Sequence, residues 1–265
     1  SQYIASPALN HFLFNMLYYH SPFDLVSVSN IQTQPFSRDI REFILSSEQD
    51  TFAVYSLHLK AGQGIDEFMI DGVHYNVDCE EERLFGVQLL AQNATTKYPY
   101  MVIGDFNIYT ADEPAFQFLI NDMGLVDPLN QIGNWHNNTS YKSIHTQSTR
   151  NTSAIGGASG GLDDRFDMIL ISEGMNIIEN TYFAFGNDGN HFNQSINYNT
   201  NGAVRQEMSD ALYYASDHLP VCVDFTLSGC TDSAACNYNE TAYIDNGSCE
   251  YPEDGLACDE SVSID

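Results

Sequence analysis

Residues 100–107 read YMVIGDFN, an apolar, strand-forming run that stops at Gly104, Asp105, Phe106 and Asn107. This ending puts a carboxylate and an amide on the same side of the chain two residues apart, and together they can hold a phosphate and a hard cation. Three further stretches have the same form. Residues 55–62 (YSLHLKAG) place His58 at a strand end before a glycine-containing loop. Residues 165–172 (RFDMILIS) open a strand with Asp167. Residues 215–225 (ASDHLPVCVDF) set Asp217 and His218 just ahead of Pro220 and a strand. Taken singly, an Asp at a strand end forms a turn and a lone His is a satisfied surface or core residue. Four polar interruptions at successive strand ends are what a sheet-edge active site leaves in a sequence, because acid, base and metal groups gather there.

Working outward, residues 24–30, 52–59, 100–104, 167–172 and 221–227 are short β-branched or aromatic runs bounded by polar residues and read as core strands. Residues 80–95 carry Leu84, Val87, Leu90 and Ala91 at helical spacing behind the acidic first turn Glu80, Glu81 and Glu82. Thr110 and Glu113 have capping-box spacing ahead of apolar residues 115–120, predicting a second helix. The alternation of strands and helices predicts a layered α/β domain. Residues 133–161 and 186–202, rich in Gly, Ser, Asn and Thr, show little periodicity and read as surface loops over one sheet edge.

The composition permits this. Of 265 residues, 43% are hydrophobic and 12% aromatic, which excludes wholesale disorder. Nine Lys and Arg against 36 Asp and Glu give 9 − 36 = −27 and a pI near 4.2. That excludes a basic nucleic-acid coat; work on a polyanion would need divalent cations, salt or a local positive patch. No apolar run reaches the roughly 18–20 residues that span a bilayer, and no export leader opens the chain. The first residue is Ser1, so we read the N-terminus as processed or cut.

The chain divides near Ser228 into residues 1–228 and a tail, 229–265. The tail holds nine acidic residues and no Lys or Arg, and four of the six cysteines: Cys230, Cys236, Cys249 and Cys258. So small a segment needs disulfides or metal to hold shape. Four cysteines allow three pairings, and their density favours an oxidising, extracellular compartment.

In chain order, S-x-H (56–58), G-D-F-N (104–107), R-F-D (165–167) and S-D-H-x-P (216–220) resemble the endonuclease/exonuclease/phosphatase superfamily, the deoxyribonuclease I-like fold, over about residues 10–227. The resemblance implies a four-layer α/β sandwich of two packed mixed β-sheets flanked by helices. It implies His218 as general base, oriented by Asp167, and His58 as the histidine that stabilises or protonates the departing ester oxygen. Asp105 and Asn107 would contact phosphate and metal, and Asp217 would be a metal carboxylate. Such oxygen ligands imply Mg²⁺ or Mn²⁺, with Ca²⁺ a further option. Arg38, in residues 36–40 (FSRDI), matches a phosphate-contacting arginine, and equally suits an ion pair with Asp39. The family's opening strand with Asn, and its Gln-Glu strand end bearing a metal ligand, have no counterpart here; Glu42 and Glu48 lack the context. We therefore expect a domain lacking its N-terminal strands.

The tail resembles the Cys- and Asx-rich repeats of secreted marine Bacteroidetes proteins, with Asp232, Asn237, Asp245 and Asn246 as oxygen donors that could bind Ca²⁺; a disulfide-stapled spacer is the other reading. The resulting expectation is a secreted, divalent-metal-dependent phosphoesterase acting on DNA, a nucleotide or a phospholipid head group. The alternative is a noncatalytic extracellular structural or adhesion protein that self-assembles through an open sheet edge.

Overall fold

A computed structural model describes residues 3–6, 15–31, 39–47, 50–95, 97–239, 242, 245, 247–252 and 258. Arg38, Glu48 and Asn246 lie outside them. Two short strands, β1 (Ile4–Ala5) and β2 (Tyr18–Tyr19), pair antiparallel. The chain then lays down β3 (Asp24–Ile31), β4 (Ile40–Ser46) and β5 (Thr51–His58) as an antiparallel meander. A hairpin, β6 (Ile65–Ile70) and β7 (Val73–Asp78), leads into helix α1 (Cys79–Asn93), and β8 (Tyr100–Asp105) returns parallel to β5. A parallel neighbour needs such a crossover, since a tight turn can only reverse the chain. Helix α2 (Pro114–Gln117) follows, running into a π-helical turn, Phe118–Asp122. Then β9 (Asp167–Ile171) closes a five-stranded sheet of order β3-β4-β5-β8-β9.

The sheet is apolar on both faces inward of edge strand β3, because β4, β5, β8 and β9 are near-continuous apolar runs whose successive side chains point to opposite faces. Ile44, Ala53, Tyr55, Leu57, Val102, Met168 and Leu170 face the layer built by Val87 and Leu90 of α1, Ala115 and Phe116 of α2, and Trp135. Phe43, Leu45, Phe52, Val54, Met101, Ile169 and Ile171 face the opposite layer. That layer holds β10 (Met175–Ile177), β11 (Phe183–Ala184), β12 (Val221–Cys222) and β13 (Phe225–Leu227), while Leu212 of helix α3 (Gln206–Ala215) packs in a separate cluster with Leu162, Ala184, Ile196 and Leu219. Strands β10 and β13 form one two-stranded ribbon and β11 and β12 another, so the single strand expected over 221–227 is two pieces with different partners. The architecture is the expected α/β sandwich, with its second strand layer divided.

The predicted capping box does not form. Glu113 is itself the N-cap residue of α2 and makes no side-chain cap. Its carboxylate instead accepts the N–H of Tyr109 at 2.7 Å and meets buried Arg83 at 2.8 Å. An arginine without water outcompetes a local helix cap for a carboxylate. Residues 186–202, expected as a bare surface loop, are cross-tied. His191 contacts Asp188 Oδ1 and the Tyr198 carbonyl, each at 2.8 Å. Burial works against ionised Asp188, but the N–H groups of Gly202 and Asn190, with His191, hold its carboxyl down at about 2.

No described helix is long and apolar enough to cross a membrane. In the tail, disulfides join Cys230 to Cys249 and Cys236 to Cys258, while Cys79 and Cys222 stay free. Asn239 Nδ2 donates to Asp50 Oδ1 at 2.7 Å, tying tail to body.

The most deeply buried ion pair fixes the approach to β9. Arg165 donates from both terminal nitrogens to Asp127, each at 2.8 Å, with both side chains 1% exposed. Removing one partner strands a buried charge. Asp127→Ala is therefore expected to cost about 3–5 kcal/mol in urea unfolding, and Asp127→Leu with Arg165→Met to recover most of it.

Candidate active site

Strand register assembles the first three residues. In the parallel β5–β8 pair His58 lies opposite Asp105, and in the antiparallel β8–β9 pair Asp105 lies opposite Asp167. Three residues from distant sequence positions thus stand in a row across adjacent strands, at side-chain contact distance. Gly104 makes this possible. Its φ is +127°, and a Cβ there would sit 2.1 Å from the Leu57 carbonyl oxygen, so only glycine lets the strands close up at this point. His58 Nε2 then lies 3.2 Å from Asp105 Oδ2. Just beyond, Asn107 takes a left-handed φ of +50°, which Asn tolerates. Its N–H donates to Asp105 Oδ1 at 3.0 Å and its Nδ2 to the Leu59 carbonyl at 3.2 Å.

His218 arrives from the far end of the chain. Residues 146–149 lie between 163–164 and 217–219 like a short strand: Leu219 N–H donates to the Thr146 carbonyl at 2.8 Å, and Thr149 N–H to the Asp217 carbonyl at 3.1 Å. Thr146 Oγ1 accepts from the N–H groups of Phe166 and Asp167 at 3.2 and 3.1 Å, holding the start of β9. His218 Nδ1 meets Asp167 Oδ2 at 2.7 Å, and its Nε2 stands 3.7 Å from Asp105 Oδ2. Burial opposes the charged ring, but the hydrogen bond and charge of Asp167, then the charges of Asp105 and Asp217, outweigh it and lift the imidazole to about 9.

The structure therefore brings together His58, Asp105, Asn107, Asp167 and His218. Asp217 flanks them: its Oδ2 accepts the Ala158 N–H at 2.6 Å, and a Cβ on Gly157 would strike that carboxylate. Glu42 lies elsewhere, accepting from Tyr55 Oη at 2.6 Å and Ser29 Oγ at 2.9 Å. The residue that sequence reasoning missed is Gln147, whose side-chain Nε2 lies 2.6 Å from His218 Nε2. It sits in a stretch without periodicity, and only its bridges to Asp164 and His218 aim it. The tail's donor oxygens serve the tail's own turns. Asp232 accepts from Ala234 N–H and Tyr251 Oη at 2.9 and 2.7 Å, Asn237 Oδ1 from Glu250 N–H at 2.8 Å, and Asp245 Oδ1 from Gly247 N–H at 2.9 Å.

Among the described residues no three His, Cys, Asp or Glu side chains form a ready-made metal cage. The donors fit a different kind of ion. One carboxylate, Asp105, beside one amide, Asn107, suits Mg²⁺ or Mn²⁺ that keeps most of its water and is shared with a substrate phosphate.

No family model matches the chain, and no curated protein matches it in sequence. Solved structures do match in fold. D. rerio TDP2 complexed with single-strand DNA product is 13% identical over 84% of this chain and 76% of its own, at a TM-score of 0.51. The likeness is one of fold, the deoxyribonuclease I-like α/β sandwich. The human Nocturnin catalytic domain with bound sulfate anion is 17% identical over 80% of this chain and 63% of its own (TM-score 0.46). A protein from Bacteroides thetaiotaomicron described as an endonuclease/exonuclease/phosphatase family protein is 14% identical over 79% of this chain and 66% of its own (TM-score 0.43).

The charge on His218 links the site to stability. Its folded value, about 9, lies above the roughly 6.5 of an unfolded imidazole. The stabilisation is fully present below pH 6.5 and is lost as pH rises through 9. With chelator present, urea unfolding should lose on the order of 3 kcal/mol from this group between pH 6 and 9.5, and His218→Asn should flatten that dependence.

Proposed function

We propose that this protein is a secreted phosphoesterase assisted by a divalent metal, cleaving phosphodiesters by attack of water on phosphorus. The observation that carries the reading is the 2.7 Å contact of His218 Nδ1 with Asp167, set beside Asp105 and His58 at one sheet edge. In the neutral ring Nδ1–H donates to Asp167 and the lone pair is on Nε2, the nitrogen on the Asp105 side; a cation held by Asp105 would offset the carboxylate charge that lifts the ring to about 9 and favour this neutral form. Water placed there loses its proton to Nε2 as its oxygen attacks in line with the leaving ester oxygen. His58, held against Asp105, is the second imidazole, positioned to stabilise or protonate that departing oxygen. Asp105 and Asn107 would hold the cation, which when bound supplies charge stabilisation at the phosphoryl oxygens. The residues 104–107 turn is fixed from below by the Arg83–Glu113 pair through the Tyr109 N–H, so the ligands are presented by a rigid support.

Two disulfides in the tail support an oxidising, extracellular setting, and their confinement to residues 230–258 supports a body of 1–228 with a separate stapled tail of 229–265. For the substrate, a diester of DNA, a nucleotide or a phospholipid head group suits the two-imidazole edge. A net charge of −27 weighs against a polyanion at low salt.

Hydrolysis of bis(4-nitrophenyl) phosphate tests the reading. His218→Ala should lower kcat by roughly 10²–10⁴-fold, and His58→Ala should lower it as well. Chelation should abolish turnover and Mg²⁺ or Mn²⁺ restore it. Undiminished turnover in His218→Ala would sink the assignment.

A further inference from the structure

The nitrogen that must take a proton from water is already in contact with another group. Gln147 Nε2 lies 2.6 Å from His218 Nε2, on the side of the ring opposite the Asp167 contact. The ring needs no second contact to set its orientation, since Asp167 fixes it through Nδ1. The amide and a nucleophilic water therefore compete for one atom.

Gln147 can move only from its side chain. Its backbone N–H donates to the Asp164 carbonyl at 3.1 Å, and its carbonyl accepts from Asp163 and Asp164 N–H groups at 2.8 and 3.0 Å. The neighbouring segment is tied to 217–219 through Thr146 and Thr149. A carboxamide carries a donor end and an acceptor end, so it can pair with Nε2 in either protonation state by turning over. The same donors match a non-bridging phosphoryl oxygen, and a hydrogen bond to an anion is stronger than one between neutral groups.

We infer that Gln147 is a substrate-operated cover on the base: it occupies His218 Nε2 in the free protein, then turns its amide N–H to a non-bridging oxygen of the entering phosphate and releases Nε2 to water. No bond is made or broken covalently in this exchange. The identity of the entering group rests on the phosphoesterase reading; the contact itself does not. Binding of the phosphate thereby exposes the base only when there is something to hydrolyse.

The test is ¹⁵N NMR of imidazole-labelled protein at one fixed pH, with the His218 signal assigned by its loss in His218→Asn and inorganic phosphate as the probe. In the free protein, Gln147→Ala should move the His218 Nε2 resonance. Phosphate should carry the wild-type resonance toward the position seen in the variant, and should bind the variant about tenfold more weakly, the order of one charge-assisted hydrogen bond less the neutral one it replaces. Gln147→Asn, with the amide kept but the reach shortened by one methylene, should behave like Gln147→Ala. A Nε2 resonance identical in wild type and both variants overturns the cover. A wild-type resonance that phosphate leaves in place, or equal phosphate affinity in all three proteins, overturns the exchange. The free-protein comparison involves no turnover, so it can fail while hydrolysis is observed and succeed while none is, which separates it from the fate of the phosphoesterase reading.

Discussion

The distance between β5 and β8 at Gly104 governs the site. A methyl group there would collide with the Leu57 carbonyl at 2.1 Å, forcing the two strands apart just where His58 and Asp105 must meet. Because Asp105 is also the register partner of Asp167, a displacement of β8 would be passed on to the carboxylate that orients His218. One absent side chain thus sets three residues at once. The sandwich on either side of the sheet resists adjustment, since both of its faces are packed against apolar layers and well-packed interiors do not deform continuously.

Cations are scarce and largely spent on architecture. Of the nine Lys and Arg residues, Arg41, Arg83, Arg150 and Arg165 are buried. Arg83 and Arg165 pair with carboxylates, and Arg150 donates to the carbonyls of Tyr213 and Gly156. Imidazoles and amides, with Asp105 and Asp167, stand at the edge of the candidate site instead. Imidazoles and amides bind phosphate without a permanent positive charge, and they can change partners as the charge of their surroundings changes, as a guanidinium locked to a carboxylate cannot.

The site was legible wherever its residues stood at the ends of apolar strands. His58, Asp105, Asn107 and Asp167 each interrupt a run of strand formers, and the order of the four motifs identified the fold. Strand β4 was not found because Arg41, buried within it, breaks the apolar pattern with a charge that is satisfied only in three dimensions: its guanidinium donates to the Asn15 carbonyl at 2.8 Å. Helix α3 was missed although QEMSDALYYA is amphipathic, because no capping residue announces it: its N-cap position is Arg205, which makes no side-chain cap. The capping box failed for the converse reason, a correct local signal overruled by the distant Arg83. Gln147 left no trace, since nothing in its neighbours shows that residues 146–149 will lie between 163–164 and 217–219.

The two cross-links close entirely within residues 230–258, whereas Cys79 and Cys222 in the body form none. The molecule is accordingly divided in its response to reductant. A thiol that opens the tail removes the covalent restraint on a segment with little core of its own, and leaves every bond of the sandwich intact. The polypeptide can therefore lose the shape of its appendage in a reducing environment and keep the sheet edge that bears His58, Asp105 and His218.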